Sequence, residues 1–257
     1  MNIYLLSLLD KSIGEAMVRF SELPIKSSLL STNHLERLSN SLYKVLNSYI
    51  LFFQKVHIAP DSYFYQKVEP IKHYDLSALV GQNFDQLDKK LLELIPTLLE
   101  TQTIPVHIHL RTTEDLHLFS GFGILDGETP SISFYLYELT ISEASITYTP
   151  SALRYLDTIL ESENNAEVKS LRILVRNFGI NYNQFQKDCK EYFGDTFHQF
   201  VNKMKMLGAL RDQLFTSYSC KEIAHRNGFA GYQNMHFLFR KKYNIPFELF
   251  PRLLAEV

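Results

Sequence analysis

The chain has 257 residues, of which 46% are hydrophobic and 21% charged, a composition typical of a globular protein with one large domain or two ordinary ones. No apolar stretch approaches the roughly 18 residues of a membrane span, and the first 20 residues, which include Asp10 and Glu15, lack the small-residue cleavage site of a secretory signal. Two cysteines, Cys189 and Cys220, are too few for a disulfide scaffold, so we expect a cytoplasmic protein without a membrane partner.

The overall net charge of −2 is distributed unevenly along the chain. Residues 1–150 contain 11 lysine and arginine residues against 17 aspartate and glutamate residues, whereas residues 151–257 contain 15 against 11. Within residues 168–252 the count is 14 against 6, a net charge of +8. An acidic half followed by a basic one is typical of a sensor or assembly domain joined to a DNA-binding domain.

Two helices are predicted in the first half of the chain. Apolar residues recur every three or four positions over residues 29–53 and again over residues 84–99, where Pro96 would end or kink the helix. The segment between them, residues 61–74, is rich in aromatic residues and has no clear period, so we predict irregular structure there.

A small antiparallel sheet is predicted after these helices. Residues 106–110 alternate between apolar and polar side chains, and two β-branched and aromatic runs follow at residues 116–125 and 132–139. The turn residues at 126–130 separate the last two runs. These features favour a sheet of three or more strands.

A helix is predicted to begin in residues 150–160, and the polar residues 161–166 form a break after it. The predicted fold is therefore an α+β domain, with helices and a small antiparallel sheet, followed by an all-α domain with two helix-turn-helix units. The predicted boundaries are residues 1–150 for a mixed α/β sensor or dimerisation domain, 151–166 for a helix and linker, and 167–257 for the all-α domain.

The first helix-turn-helix pattern combines a short helix, a glycine turn and a capped second helix. Residues 171–177 form the short helix, and Gly179 supplies the left-handed residue that ends a helix sharply. Asn181 and Gln184 are spaced like a capping box that would open a helix over residues 181–192.

The second pattern has the same organisation. Ser219 and Glu222 form an S-x-x-E capping box, Gly228 marks the turn and Phe229 is the expected buried anchor. The helix after this turn is predicted over residues 232–243, with its apolar side chains inward.

A long amphipathic helix, opened by a capping box of Thr196 and Gln199, is predicted to connect the two patterns. Its apolar side is predicted to consist of Phe197, Phe200, Val201, Met204, Leu207 and Leu214. A rigid connector of this kind can place two helices in successive major grooves of one DNA duplex.

Amide and basic side chains form the predicted outer faces of the two second helices. Asparagine and glutamine can make bidentate contacts to adenine, while arginine and lysine contact guanine or phosphate. The candidate DNA-binding residues are Asn183, Gln184, Gln186, Lys187 and Lys190 in the first unit and Gln233, Asn234, His236, Arg240 and Lys241 in the second. Lys205 and Lys242 are further candidates for contacts to the phosphate backbone.

Residues 171–254 resemble the DNA-binding domain of the AraC/XylS family of bacterial transcription regulators. The residues that carry the resemblance are Gly179, Lys190, Gly194, Phe197 and Ala209, followed by Ile223-Ala224, Gly228-Phe229 and Phe239-Arg240-Lys241. The resemblance implies two tandem helix-turn-helix subdomains, with recognition helices at residues 181–192 and 232–243.

The sequence departs from this family's usual pattern at several positions. It has Asp212 and Gln213 in place of two leucines, Phe237 in place of an arginine, Asn244 in place of a glycine, and Pro246-Phe247 in place of threonine-proline. Gly208 also lies inside the connector helix, at a cost of roughly 1 kcal/mol relative to alanine. The apolar anchors remain, so we expect the fold to persist, with altered DNA contacts in the second unit.

A histidine pair in the first half raises the question of metal binding. His107 and His109 would share one face of a strand, and with Glu114 they resemble the first metal-binding motif of cupins. No second motif with a third histidine follows, although His117 on the next strand is a conceivable ligand. The favoured interpretation is polar alternation on a half-exposed strand, with no metal or other cofactor. Because no other catalytic motif is present, the protein is not expected to be an enzyme.

Together these features predict a transcription regulator that binds double-stranded DNA through its C-terminal domain. The N-terminal domain would sense a small-molecule effector or form a homodimer, and RNA polymerase is a further expected partner, as for an activator. The alternative is an interaction protein that keeps the helical fold, has lost operator binding and presents Phe237 to a protein partner.

Overall fold

The computed structural model describes residues 1–23, 32–97, 103–126, 129–148, 150–163 and 171–253. An α+β region with a small antiparallel sheet is followed by a helical region, which confirms the predicted fold class. A helix at Tyr155–Glu163 extends into the first half of the break predicted at residues 161–166, so that part of the prediction was wrong. Residues 164–166 lie outside the described part of the chain, and the domain boundaries stay a prediction. No helix in the described part of the chain is long and apolar enough to cross a membrane.

The sheet has five described strands, all paired antiparallel, and it contains the three strands that were predicted. They are β1 (Gln66–Lys67), β2 (Lys72–Asp75), β3 (Thr103–Arg111), β4 (Asp115–Asp126) and β5 (Ser131–Ser142). β4 lies between β3 and β5, while β1 and β2 both pair with the other edge of β5.

The prediction of irregular structure for residues 61–74 was therefore wrong for two short pieces. β1 has two residues and β2 has four, too few for an alternating pattern to be recognised. Their structure comes from pairing with β5, which satisfies backbone groups on that edge of the sheet.

The N-terminal region also contains three α-helices. They are α1 (Ile3–Ser21), which was not predicted, α2 (Thr32–Lys55), which agrees with the predicted helix, and α3 (Gln86–Leu92). The helix predicted over residues 84–99 is shorter than expected: α3 gives way to one 3-10 turn at Ile95–Thr97. Pro96 lacks the backbone N–H that a longer α-helix would need there.

The helical region contains six further α-helices among the described residues. They are α4 (Tyr155–Glu163), α5 (Leu171–Asn177), α6 (Tyr182–Phe193), α7 (Phe197–Phe215), α8 (Cys220–Arg226) and α9 (Tyr232–His236). The chain after α9 continues in a wide, π-helical turn over Phe237–Lys242.

The two faces of the sheet have separate cores. On β3, Ile104, Val106 and Ile108 are buried in a cluster that includes Leu91 of α3. The opposite face packs against α1 and α2, where the rings of Phe20 and Phe122 lie 5.8 Å apart. This arrangement places the odd-numbered side chains of β3, including its two histidines, on the face next to α1.

Helices α1 and α2 also pack against the helical region. The ring of Tyr4 lies 5.5 Å from that of Phe193, and the ring of Phe52 lies 6.4 Å from that of Phe239. Glu15 and Arg211 form an ion pair at 3.7 Å. The buried residues of α1, α2 and the helix-turn-helix helices consequently form one continuous hydrophobic cluster.

Candidate DNA-binding surface

The first predicted helix-turn-helix unit consists of α5, a turn and α6. Gly179 adopts φ 71°, the left-handed conformation expected at this turn. The side chain of Asn181 caps α6 by accepting a hydrogen bond from the backbone N–H of Asn183 at 2.8 Å. The predicted capping box with Gln184 is wrong, because Asn181 accepts from the backbone of Asn183 rather than of Gln184, and the Gln184 side chain donates to Asp188 at 2.7 Å.

Helix α6 has a buried apolar face and an exposed polar one. Phe185 and Cys189 are buried, and burial raises the pKa of the Cys189 thiol to about 12. On the outer face Asn183, Gln184, Lys187 and Lys190 are exposed, while Gln186 is half-buried. This face therefore presents amide and ammonium groups to solvent.

Two hydrogen bonds connect α6 to α4. The hydroxyl of Tyr155 donates to the buried carboxylate of Asp188 at 2.6 Å, and the hydroxyl of Tyr192 donates to Asp157 at 3.2 Å. Each helix thus supplies one tyrosine and one aspartate. The helix that precedes the linker is thereby fixed against a predicted recognition helix.

Helix α7 connects the two units and begins at the predicted capping box. The backbone N–H of Thr196 donates to Gln199 Oε1 at 3.1 Å, and the backbone N–H of Gln199 donates to Thr196 Oγ1 at 3.3 Å. Of its predicted apolar face, Phe197, Phe200 and Leu214 are buried, whereas Val201, Met204 and Leu207 are half-buried. Further residues of α7 are buried because α1 and α2 cover another side of this helix.

The second unit keeps its predicted cap and turn. The backbone N–H of Ser219 donates to Glu222 Oε2 at 2.7 Å, and the backbone N–H of Glu222 donates to Ser219 Oγ at 3.3 Å. Gly228 has φ 68°, and Phe229 is buried beside it. The Lys205 ammonium, a predicted phosphate contact, donates to the Gly228 carbonyl at 3.0 Å and so helps to fix this turn.

The second predicted recognition helix is less regular than expected. It begins at Tyr232, but only α9 is α-helical, and the backbone N–H of Tyr243 reaches the carbonyl of Leu238 at 3.2 Å to close the wide turn. Met235, Leu238 and Phe239 are buried as predicted. Leu238 and Phe239 are adjacent residues of the wide turn.

The outer face of this helix carries the predicted polar residues. Gln233, Asn234, Arg240 and Lys241 are exposed, as is Lys242. His236 is half-buried, with its ring centre 5.8 Å from that of Tyr232. Phe237, which stands in the place of the family's usual arginine, is 56% exposed.

Four of the residues at which the sequence departs from the family pattern have structural roles. Asn244 adopts φ 53°, so asparagine takes over the left-handed position of the usual glycine. Asp212 is buried and accepts a hydrogen bond from Asn227 Nδ2 at 2.8 Å, and Gln213 donates to the carbonyl of Phe250 at 3.3 Å. A Cβ atom on Gly208 would collide with Asn227 Oδ1, so glycine allows α7 to approach the end of α8.

The predicted metal candidates do not form the group suggested by the cupin resemblance. Glu114 lies in the turn between β3 and β4, and His117 instead bonds to Glu138 at 2.6 Å. His107 and His109 do lie together, but their carboxylate neighbour is Asp10 of α1. Sequence reasoning missed Asp10, since only the tertiary packing of α1 on β3 brings it to the histidines.

Residues 174–251 match a family model described as a helix-turn-helix domain. The match supports an AraC-type DNA-binding domain in this part of the chain. The match indicates a DNA-binding transcription regulator, and it does not include residues 1–173. No curated protein and no solved structure matches the chain.

Proposed function

We propose that the protein is a sequence-specific transcription regulator that reads double-stranded DNA with the outer faces of α6 and of α9 with the π-helical turn that follows it. The observation that carries the proposal is the polarity of these faces within a domain of net positive charge. Each helix follows a glycine turn, buries its apolar side against α7 or α8 and exposes amide and basic side chains. Such a face suits the major groove of DNA.

The exposed side chains divide into two chemical groups. Asn183, Gln233 and Asn234 carry amides that can contact adenine. Exposed lysine and arginine side chains would contact phosphate or guanine, and these are Lys187, Lys190, Arg240, Lys241 and Lys242. Gln184 would contribute less to base contacts than these three residues, because its amide nitrogen already donates a hydrogen bond to Asp188.

The N-terminal region would regulate the DNA-binding domain, by sensing a small molecule or by forming a homodimer. The support for this part of the proposal is the contact of α1 and α2 with α7, including the Glu15–Arg211 ion pair. A change in the position of α1 would therefore shift α7, the helix that connects the two helix-turn-helix units. As a DNA-binding activator the protein would work in the cytoplasm, with RNA polymerase as a further partner.

Recovery of genomic fragments by the purified full chain, followed by affinity measurements, tests the proposal. Replacement of a bidentate base contact costs about 1–3 kcal/mol, so Asn234→Ala should weaken binding to a recovered fragment by about 5- to 150-fold. The matched control is Asn47→Ala, an exposed asparagine on α2, which should bind like the wild type. Equal effects of the two substitutions, or no enrichment of any fragment, would contradict the proposal.

The exposure of Phe237 favours a second candidate function. A large aromatic side chain on the outer face of a recognition helix contributes nothing to phosphate binding, but it suits an interface with a protein. On this alternative the helical fold is retained and the partner is a protein.

A further inference from the structure

Three potential metal ligands meet between helix α1 and strand β3. Asp10 Oδ1 lies 2.9 Å from His107 Nε2 and 2.7 Å from His109 Nε2, and the two imidazole nitrogens are 3.2 Å apart. The three atoms therefore surround a single point. Among the residues that the structure describes, these three alone form a group of this kind.

Hydrogen bonds do not satisfy all three contacts of this cluster. An ionised carboxylate accepts only, and each neutral imidazole Nε2 is either a donor or an acceptor. If both nitrogens carry protons, both can donate to the Asp10 carboxylate, but the two donors then lie only 3.2 Å apart. If either lacks a proton, an acceptor faces the carboxylate. A cation at the centre removes the conflict, because all three atoms then act as ligands.

The distances suit a small divalent ion. Zinc binds imidazole nitrogen and carboxylate oxygen at about 2.0–2.2 Å, which places tetrahedral ligand atoms about 3.3 Å from one another. The observed separations of 2.7–3.2 Å need to widen by only a few tenths of an ångström. We propose that Asp10, His107 and His109 bind a divalent transition-metal ion such as Zn²⁺.

Buried neighbours orient the first of the two histidines. His107 Nδ1 lies 3.1 Å from the hydroxyl of Ser120, its pairing partner on β4, and the Ser120 hydroxyl lies 3.3 Å from that of Tyr65. Ser120 and Tyr65 are both buried. A proton on Nδ1 that is shared with Ser120 leaves the Nε2 lone pair for a metal, which is the usual support of a histidine ligand.

Helix α1 comes close to the strand at the same place. A Cβ atom on Gly14, one turn beyond Asp10, would lie 3.1 Å from the His107 ring, so glycine leaves room for the imidazole. The side chain of His107 is 17% exposed and that of His109 is 45% exposed. The cluster is thus anchored on one side and open on the other, where water would complete the coordination as in three-ligand zinc sites.

The site does not depend on DNA binding, so its test is separate from that of the proposed function. The full chain, stripped of metal with a chelator, is titrated with ZnCl₂ by calorimetry. The expected result is one ion per chain, and His109→Ala should weaken the affinity at least tenfold. The matched control is His117→Ala, a half-buried histidine of the neighbouring strand, which should leave the affinity unchanged.

A ligand replacement distinguishes coordination from a merely structural effect. His109→Cys should retain metal binding and give a sulfur-to-cobalt charge-transfer band with Co²⁺, since thiolate is itself a ligand. Thermal unfolding without metal checks that the variants are folded. The absence of a saturable Zn²⁺ site in the wild type would overturn the inference. Equal losses of affinity in His109→Ala and His117→Ala would overturn it as well.

Discussion

The hydroxyl of Tyr155 donates a 2.6 Å hydrogen bond to the buried carboxylate of Asp188. Asp188 belongs to α6, the first predicted recognition helix, and Tyr155 belongs to α4, which precedes the predicted linker. Burial and the hydrogen bond to Asp188 both raise the pKa of the Tyr155 hydroxyl, so this group stays a donor at all ordinary pH values. The bond fixes a predicted DNA-reading helix to the segment that leads in from the N-terminal region.

Tyr155→Phe should destabilise the protein by about 1–3 kcal/mol, because it removes a donor from a buried carboxylate. Urea unfolding of the full chain measures this change in free energy. The control is Tyr43→Phe on α2, an exposed tyrosine whose substitution should cost less than about 0.5 kcal/mol. Equal losses in the two variants would show that the Tyr155–Asp188 bond adds nothing to stability.

Gly208→Ala should destabilise the protein, although glycine-to-alanine changes inside a helix usually stabilise by about 1 kcal/mol. The new methyl group would collide with Asn227, which is held by hydrogen bonds to Asp212 and to the Ile223 carbonyl. In an Asn227→Ala background the collision is absent, so the same substitution should become stabilising. Urea unfolding of the four proteins in this cycle tests the sign change, and additive effects would contradict the packing argument.

Asn244 provides a test of backbone conformation at the end of the second unit. Asn244→Gly should leave the free energy of unfolding within about 1 kcal/mol of the wild type, because glycine adopts positive φ freely. Asn244→Val should destabilise by about 1–2 kcal/mol, since a β-branched residue resists the left-handed region. Similar melting temperatures for the two variants would mean that this residue does not need positive φ.

Phe237→Arg discriminates between the two candidate functions. If α9 still contacts DNA, an arginine at this exposed position should raise affinity several-fold and steepen the salt dependence by about one phosphate contact. Ile173→Arg on α5 controls for the added charge, because Ile173 is equally exposed but lies outside the recognition helices. If the two variants behave alike, the protein-interaction alternative is favoured.

Local sequence signals predicted the helical region well. The Thr196–Gln199 and Ser219–Glu222 boxes depend on residues three apart, and both were confirmed. The Asn181–Gln184 box did not form, because the Asn181 side chain accepts from the backbone of Asn183 and the Gln184 side chain extends along the helix to Asp188. The π-helical turn after α9 was not predictable either, because no local sequence pattern distinguishes it from a continued α-helix.

Contacts between distant parts of the chain could not be predicted. Asp10 and His107 are 97 positions apart in the sequence, and no local pattern around either residue predicts that they are in contact. The apolar spacing of α1 could have revealed that helix, with Leu9, Ile13 and Phe20 on its buried face. It would not have shown that α1 crosses β3 at the two histidines.

The salt dependence of DNA binding tests whether the outer face of α6 contacts DNA. With a recovered genomic fragment and the full chain, log K should fall linearly with log salt, with a slope near −0.9 for each phosphate contacted. Lys187→Ala should make this slope shallower by about one contact, whereas Lys55→Ala, an exposed lysine on α2, should leave it unchanged. An affinity that does not vary with salt, or a slope that Lys187→Ala leaves unchanged, would contradict DNA reading by α6.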